Sequence, residues 1–237
     1  GALVMLQTTQ LSGFGSGVQG GGASAFGISF VDSFVNASEL TTYTFTNKNI
    51  GAVAADRHIV VTLARQSSNA VNSVTVNGQT CKVVALTENT DNFSTIWVTE
   101  AWVPTGTTAV TVTVVFAGTA EQCGVGLFRM VGASETVSAS ATDTDITDNG
   151  AMTCTATVPA GGGYVCSARG GNNPSHAWTD DDTTTPTEGF DEEIDGGQHH
   201  SGAYNNTATS QTNLSVTVTP SPTTTEQGMC MATFAAA

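Results

Sequence analysis

Eight carboxylates fall within sixteen residues of this 237-residue chain: Asp180, Asp181, Asp182, Glu188, Asp191, Glu192, Glu193 and Asp195. His176 precedes them and His199-His200 follows. Clustered carboxylates with backbone carbonyls ligate Ca²⁺. Imidazoles beside carboxylates ligate transition metals. The candidate ligands are His176, Asp180, Asp182, His199 and His200. The plainer reading is preferred, in which residues 170–211 are a long, solvated acidic loop that keeps the protein soluble.

A second acidic run, Asp143-x-Asp145-x-x-Asp148-x-Gly150, begins like a calcium loop. That pattern needs an acidic or amide residue at its fifth position and Glu at its twelfth. Thr147 and Cys154 stand there instead, so a turn between strands is expected. A Ser-His-carboxylate triad has all its residue types present, but no G-x-S-x-G elbow marks a nucleophile. His58 opens an apolar run and reads as structural, and nothing marks Glu88, Asp91 or Glu100 as a buried glycosidase pair. No enzymatic activity is expected. Trp178, Phe190 and Tyr204 lie in the polar region. Exposed there, they would form a glycan- or receptor-stacking surface; packed on the body of the protein, they would be structural. Trp97 and Trp102 are five residues apart, so on one strand they face opposite sides and at most one is core.

The cysteines are Cys81, Cys123, Cys154, Cys166 and Cys230, an odd number with no C-x-x-C pair. Buried free thiols are expected, with Cys154–Cys166 as the one pairing left open. The formal net charge is −14, and beyond Lys82 the basic residues are Arg129 and Arg169. Nucleic-acid and anionic-membrane partners are excluded on charge. No run approaches the roughly 20 apolar residues of a membrane span. The first ten residues lack the basic start of a secretory signal, so a signal already removed, or assembly inside a host cell, is expected.

The elements that must carry these residues are strands. Met152, Cys154, Ala156 and Val158 alternate with Thr153, Thr155 and Thr157; Val110, Val112 and Val114 alternate with Thr111 and Thr113. Period two describes half-buried antiparallel strands. His58–Ala64 is continuously apolar, as for a central strand. Asn77-Gly78 between two β-rich runs predicts a type I′ hairpin. Gly124 and Gly126 mark a close approach or a bulge in the run Gln122–Val131. About a dozen strands are expected, with no fixed internal repeat. Residues 1–24 are Gly/Ser-rich. They carry Leu3, Val4, Met5, Leu6, Leu11 and Phe14, and read as an arm that docks on a neighbour.

ADRHIVVTLARQ, SVTVNGQTCKVV, STIWVTEAWVPTGTTAVTVTVVFAG and CGVGLFRMVGA together resemble a pattern in structural proteins of tailed bacteriophages. The resemblance covers residues 54–134. It implies an all-β, antiparallel, jelly-roll-like sandwich over residues 25–237 on the outside of a virion. Its roles there would be head decoration or cement, head spike, or tail-fibre component. Other virion proteins would be its partners, and a closed homo-oligomer such as a trimer its state. Leu6, Leu11 and Phe14 would be the assembly contacts. No cofactor is expected unless the acidic loop holds Ca²⁺.

Overall fold

A computed structural model describes residues 24–89, 92–145, 150–172, 175–182, 185–222 and 226–237. The arm contacts Leu6, Leu11 and Phe14 lie outside these residues. The described chain is all-β: sixteen strands, every pairing antiparallel, and no helix. The first half contains β1 (Gly27–Asn36), β2 (Leu40–Lys48), β3 (His58–Gln66), β4 (Val71–Val76), β5 (Gln79–Asn89), β6 (Asn92–Thr99), β7 (Val110–Ala120) and β8 (Gln122–Val131). The second contains β9 (Ala133–Asp145), β10 (Met152–Val158), β11 (Gly163–Gly171), β12 (Ser175–Asp180), β13 (Thr187–Asp195), β14 (Gln198–Asn206), β15 (Gln211–Ser221) and β16 (Gln227–Ala236).

Two expectations are corrected here. The described residues form sixteen strands rather than a dozen, and the acidic region is no loop, because β12, β13 and β14 run through it. The period-two signal is present there but carried by few residues. On β13 the buried positions are Phe190 and Ile194, and acids fill five of the other seven. On β12 only His176 and Trp178 are buried. Edge strands need little apolar surface, so polar composition hid them.

The third correction concerns repetition. In the first half, β1-β8-β3-β6-β5 hydrogen-bond side by side and β4-β7-β2 continue from β5. In the second half, the sheets are β9-β16-β11-β14-β13 and β10-β15-β12. Counted within each half, both read 1-8-3-6-5 and 2-7-4. Register agrees as well as order. Tyr43 and Val74 flank Val114, as Met152 and Trp178 flank Val218. Phe45 and Val76 flank Val112, as Cys154 and Asp180 flank Val216. The Asn77 amide donates to the Thr111 carbonyl at 2.9 Å, and the Asp181 amide to that of Ser215 at 3.1 Å. The chain is a tandem repeat in topology that side-chain identity does not display.

Each half encloses its own core: within the single eight-stranded sheet of the first, around Tyr43, Leu63, Val112 and Phe116, and between the five- and three-stranded sheets of the second, around Met152, Tyr164, Trp178 and Val216. A third core lies where the two five-stranded sets pack face to face: Ile28, Val60, Ile96 and Phe128 meet Val165, Phe190, Cys230 and Phe234. Strands buried on both faces carry no alternation. That is why β3, β8, β11 and β16 are buried almost throughout, whereas β10, with one face in water, alternates strictly. The hairpin forms as expected, with Asn77 and Gly78 at φ 51° and 78°.

Candidate functional site

The predicted ligands separate into three places. His176 on β12, Asp191 on β13 and His199 on β14 converge at one corner of the second half. His199 Nε2 lies 2.6 Å and His176 Nδ1 3.5 Å from Asp191 Oδ1. The His176 amide donates to Asp191 Oδ2 at 3.0 Å, and the two rings meet edge to face at 5.6 Å. Burial opposes the Asp191 charge. The two imidazoles and the His176 amide outweigh it and hold the carboxyl well below the usual carboxylate range. Burial also pushes the His176 imidazole down, against the pull of Asp191.

Asp180 sits elsewhere, accepting the Tyr164 hydroxyl at 3.0 Å; burial and then the like charges of Asp182 and Asp181 raise its carboxyl despite that bond. Among the described residues no three His, Cys, Asp or Glu side chains are arranged to hold a metal ion. In the other acidic run, Asp143 accepts the Thr144 and Thr153 amides and Asp145 accepts that of Gly150, as turn residues do. Asp148 lies outside the described residues.

His200 points from the opposite face of β14 into the seam between the halves. Its Nε2 is 3.2 Å from Ser167 Oγ, and the Ser94 hydroxyl donates to Ser167 at 2.7 Å. The arrangement resembles a nucleophile and its base, but Ser94, Ser167 and His200 are all fully buried. Nδ1 of His200 faces no carboxylate and makes no hydrogen bond. Burial, with the neighbouring imidazoles adding, drops this ring to about 3, so it stays neutral. It serves as a polar tie between β6, β11 and β14.

The aromatic candidates are corrected in the same way. Trp178 and Phe190 are 5% and 6% exposed, one in the core of the second half and the other in the seam. Phe190 stacks on Phe30, and half-buried Tyr204 meets Phe128 edge to face. None forms an outer stacking surface. Each sits on a strand rather than a loop, and that error in the element misplaced the side chains. All five cysteines are buried free thiols, so Cys154 and Cys166 form no disulfide.

Two features escaped sequence reading. The first is Arg57, which is fully buried. Its Nε donates to the Val103 carbonyl at 2.8 Å, and its terminal nitrogens to those of Ile50, Gly51, Ala52, Thr105 and Gly106 at 2.8–3.4 Å. It binds together the connections before β3 and after β6, which carry exposed Val53 and Trp102. Trp97 on β6 is buried and Trp102 is 49% exposed, but Trp102 lies on the connection after β6 rather than on the same strand, so strand alternation does not account for the difference. An arginine ahead of a core strand was the available signal. The second is a polar cleft of about 420 Å³ at the end of the seam, lined by Gln66, Ser67, Asn69, Thr119, Glu121 and Glu226. Its walls come from three connections that sequence does not bring together.

Compared with protein families, with curated proteins and with solved structures, the chain matches none.

Proposed function

We propose that the protein is a non-enzymatic structural component on the exterior of a virion. In this reading it decorates or cements a capsid through residues 1–24 and its sheet faces. The observation that carries the reading is the sealing of its reactive groups. Ser167 and His200 are fully buried between the facing sheets, and His176, Asp191 and His199 are mostly buried at a corner where only the edges of Asp191 and His199 reach solvent, so among the described residues no exposed nucleophile stands beside a base. What the molecule offers outward is shape and hydroxyls. Exposed or half-buried rows Thr44–Thr113–Thr75 and Thr153–Thr217–Thr179 cross the outer three-stranded sets of the two halves at equivalent places. The strand order 1-8-3-6 facing 2-7-4, with strand 5 between, supports the jelly-roll-like reading that the resemblance implies. Other virion proteins are the partners, and a symmetric oligomer such as a trimer is the assembled state. In the test, the full chain and residues 25–237 are added to particles lacking the protein. The full chain should bind and the shortened one should not; failure of both, or binding by both, rejects the role.

Trp102 favours a second reading, a receptor- or glycan-binding module of a tail fibre or head spike. An exposed indole on a connection fixed by Arg57 is a preorganised stacking surface. Trp102→Ala should then lower adsorption to host cells without lowering thermal stability; unchanged adsorption excludes it.

A further inference from the structure

The two halves close the same corner with different chemistry. The fourth and fifth strands of each half diverge. β4 and β5 pair only at Thr75–Thr80 and Val76–Gln79, and β12 and β13 belong to different sheets. In the first half no imidazole or carboxylate lines the corner between them: Ala70, Val71, Val83, Leu86, Trp97, Thr95 and the non-titrating guanidinium of Arg65 enclose a cavity of about 90 Å³ there. His176 takes the place of Val71, lying opposite Pro220 as Val71 lies opposite Phe116. In the second half, then, His176, Asp191 and His199 occupy the corner that in the first holds aliphatic and aromatic side chains with Thr95 and Arg65, none of which titrates between neutral pH and acid.

We propose that this corner makes the second half an acid-sensitive element, whose strands β12, β13 and β14 part on protonation while the first half stays closed. One carboxylate balances one imidazolium. A second imidazolium would have to sit at a ring distance of 5.6 Å from the first, with the His176 side chain fully buried. Parting the strands hydrates both rings, so the added proton drives opening.

The neighbouring groups do not supply the missing charge. Glu188 on β13 does feel the His199 charge, but burial and then the Asp191 charge outweigh it and raise the Glu188 carboxyl, which makes it a weaker counter-charge in acid. Asp180 on β12 is engaged by Tyr164, and Glu192 on β13 by the Ser33 hydroxyl. Glu193 and Asp195 are exposed. Arg169 on β11 donates to the Glu226 carbonyl, and His200 occupies the other face of β14. The sign follows from His176. Its folded imidazole lies below the ordinary 6.5, so closure is at full strength above that pH and weakens as pH falls below it.

The test is hydrogen exchange on the full chain at about pH 7.5 and about pH 5, corrected for intrinsic exchange. Residues 187–206 should lose protection at least about tenfold in acid while residues 71–76 and 94–99 keep theirs. Equal loss in both halves, or none, overturns the proposal. In a His200→Gln background, which removes the other buried imidazole of β14, the loss in acid should remain, and adding His176→Val, Asp191→Leu and His199→Phe should abolish the difference between halves; its persistence also overturns the proposal. If that variant does not fold, His199→Gln in the same background, which removes one of the two imidazoles, should move the loss to lower pH, and an unmoved loss counts the same way.

Discussion

Gly124 and Gly228 occupy equivalent places on opposite sides of the seam. A Cβ on Gly124 of β8 would lie 2.9 Å from Ile194 of β13 and 3.0 Å from His200 of β14. A Cβ on Gly228 of β16 would lie 2.8 Å from Thr87 of β5 and 3.8 Å from the backbone of Ser94 on β6. The eighth strand of each half thus presses its backbone against the fifth and sixth strands of the other. This is the reciprocity of an isologous interface, here within one chain.

Gly124→Val and Gly228→Val should therefore each destabilise the protein, by about 1–3 kcal/mol from overpacking. Gly126→Ala should cost at least as much, because its Cβ would fall 2.2 Å from the Phe190 ring. Urea titration of the three variants measures this. Costs under about 0.5 kcal/mol would mean that the seam is loosely packed.

The seam also shows how far the sequence reaches. Gly124 and Gly126 announce a close approach, and Asn77-Gly78 announces its hairpin, because few residues satisfy those backbone demands. The alternating Thr/Val strands are legible because one face meets water. The repeat is not legible, because what repeats is strand order and register. Those are satisfied by Val76 in one half and Asp180 in the other, or by Tyr43 and Met152. Of the candidate site, His176 and His199 were found from residue type and neighbourhood. Asp191 stood undistinguished among eight carboxylates, and its partners are fixed by a corner between sheets that local patterning cannot place.

Arg57→Met should destabilise the protein by more than about 3 kcal/mol, since several buried carbonyls lose their donor at once. Arg57→Lys should recover only part of this, because one ammonium has three donors and cannot span both connections. Denaturant titration gives the cost, and tryptophan emission reports on Trp102. A neutral effect would remove Arg57 as the organiser of that tip.

The five thiols should resist alkylation in the native protein at about pH 8. Burial pushes Cys81 and Cys230 up to about 12 and raises Cys123, Cys154 and Cys166 further. Mass spectrometry after iodoacetamide treatment should find no modification until denaturant is added. Rapid native labelling of any one thiol would show that its core opens.

His200 adds a pH dependence of its own. Its folded value of about 3 lies below the ordinary 6.5, so the stability it contributes is whole above pH 6.5 and is lost progressively down to about 3. His200→Gln should flatten the fall in stability over that window, as read from urea midpoints at several pH values. A slope equal to that of the unaltered protein would assign the acid response to other groups.

Arg57 carries a permanent positive charge that peptide dipoles answer and no carboxylate does. An exposed ion pair fades as salt rises, and a carboxylate partner is lost when it takes up a proton. The clamp beneath Trp102 has neither weakness. The end of the first half that displays this indole is thus built to hold one shape from dilute buffer to brine, and from neutral water into acid.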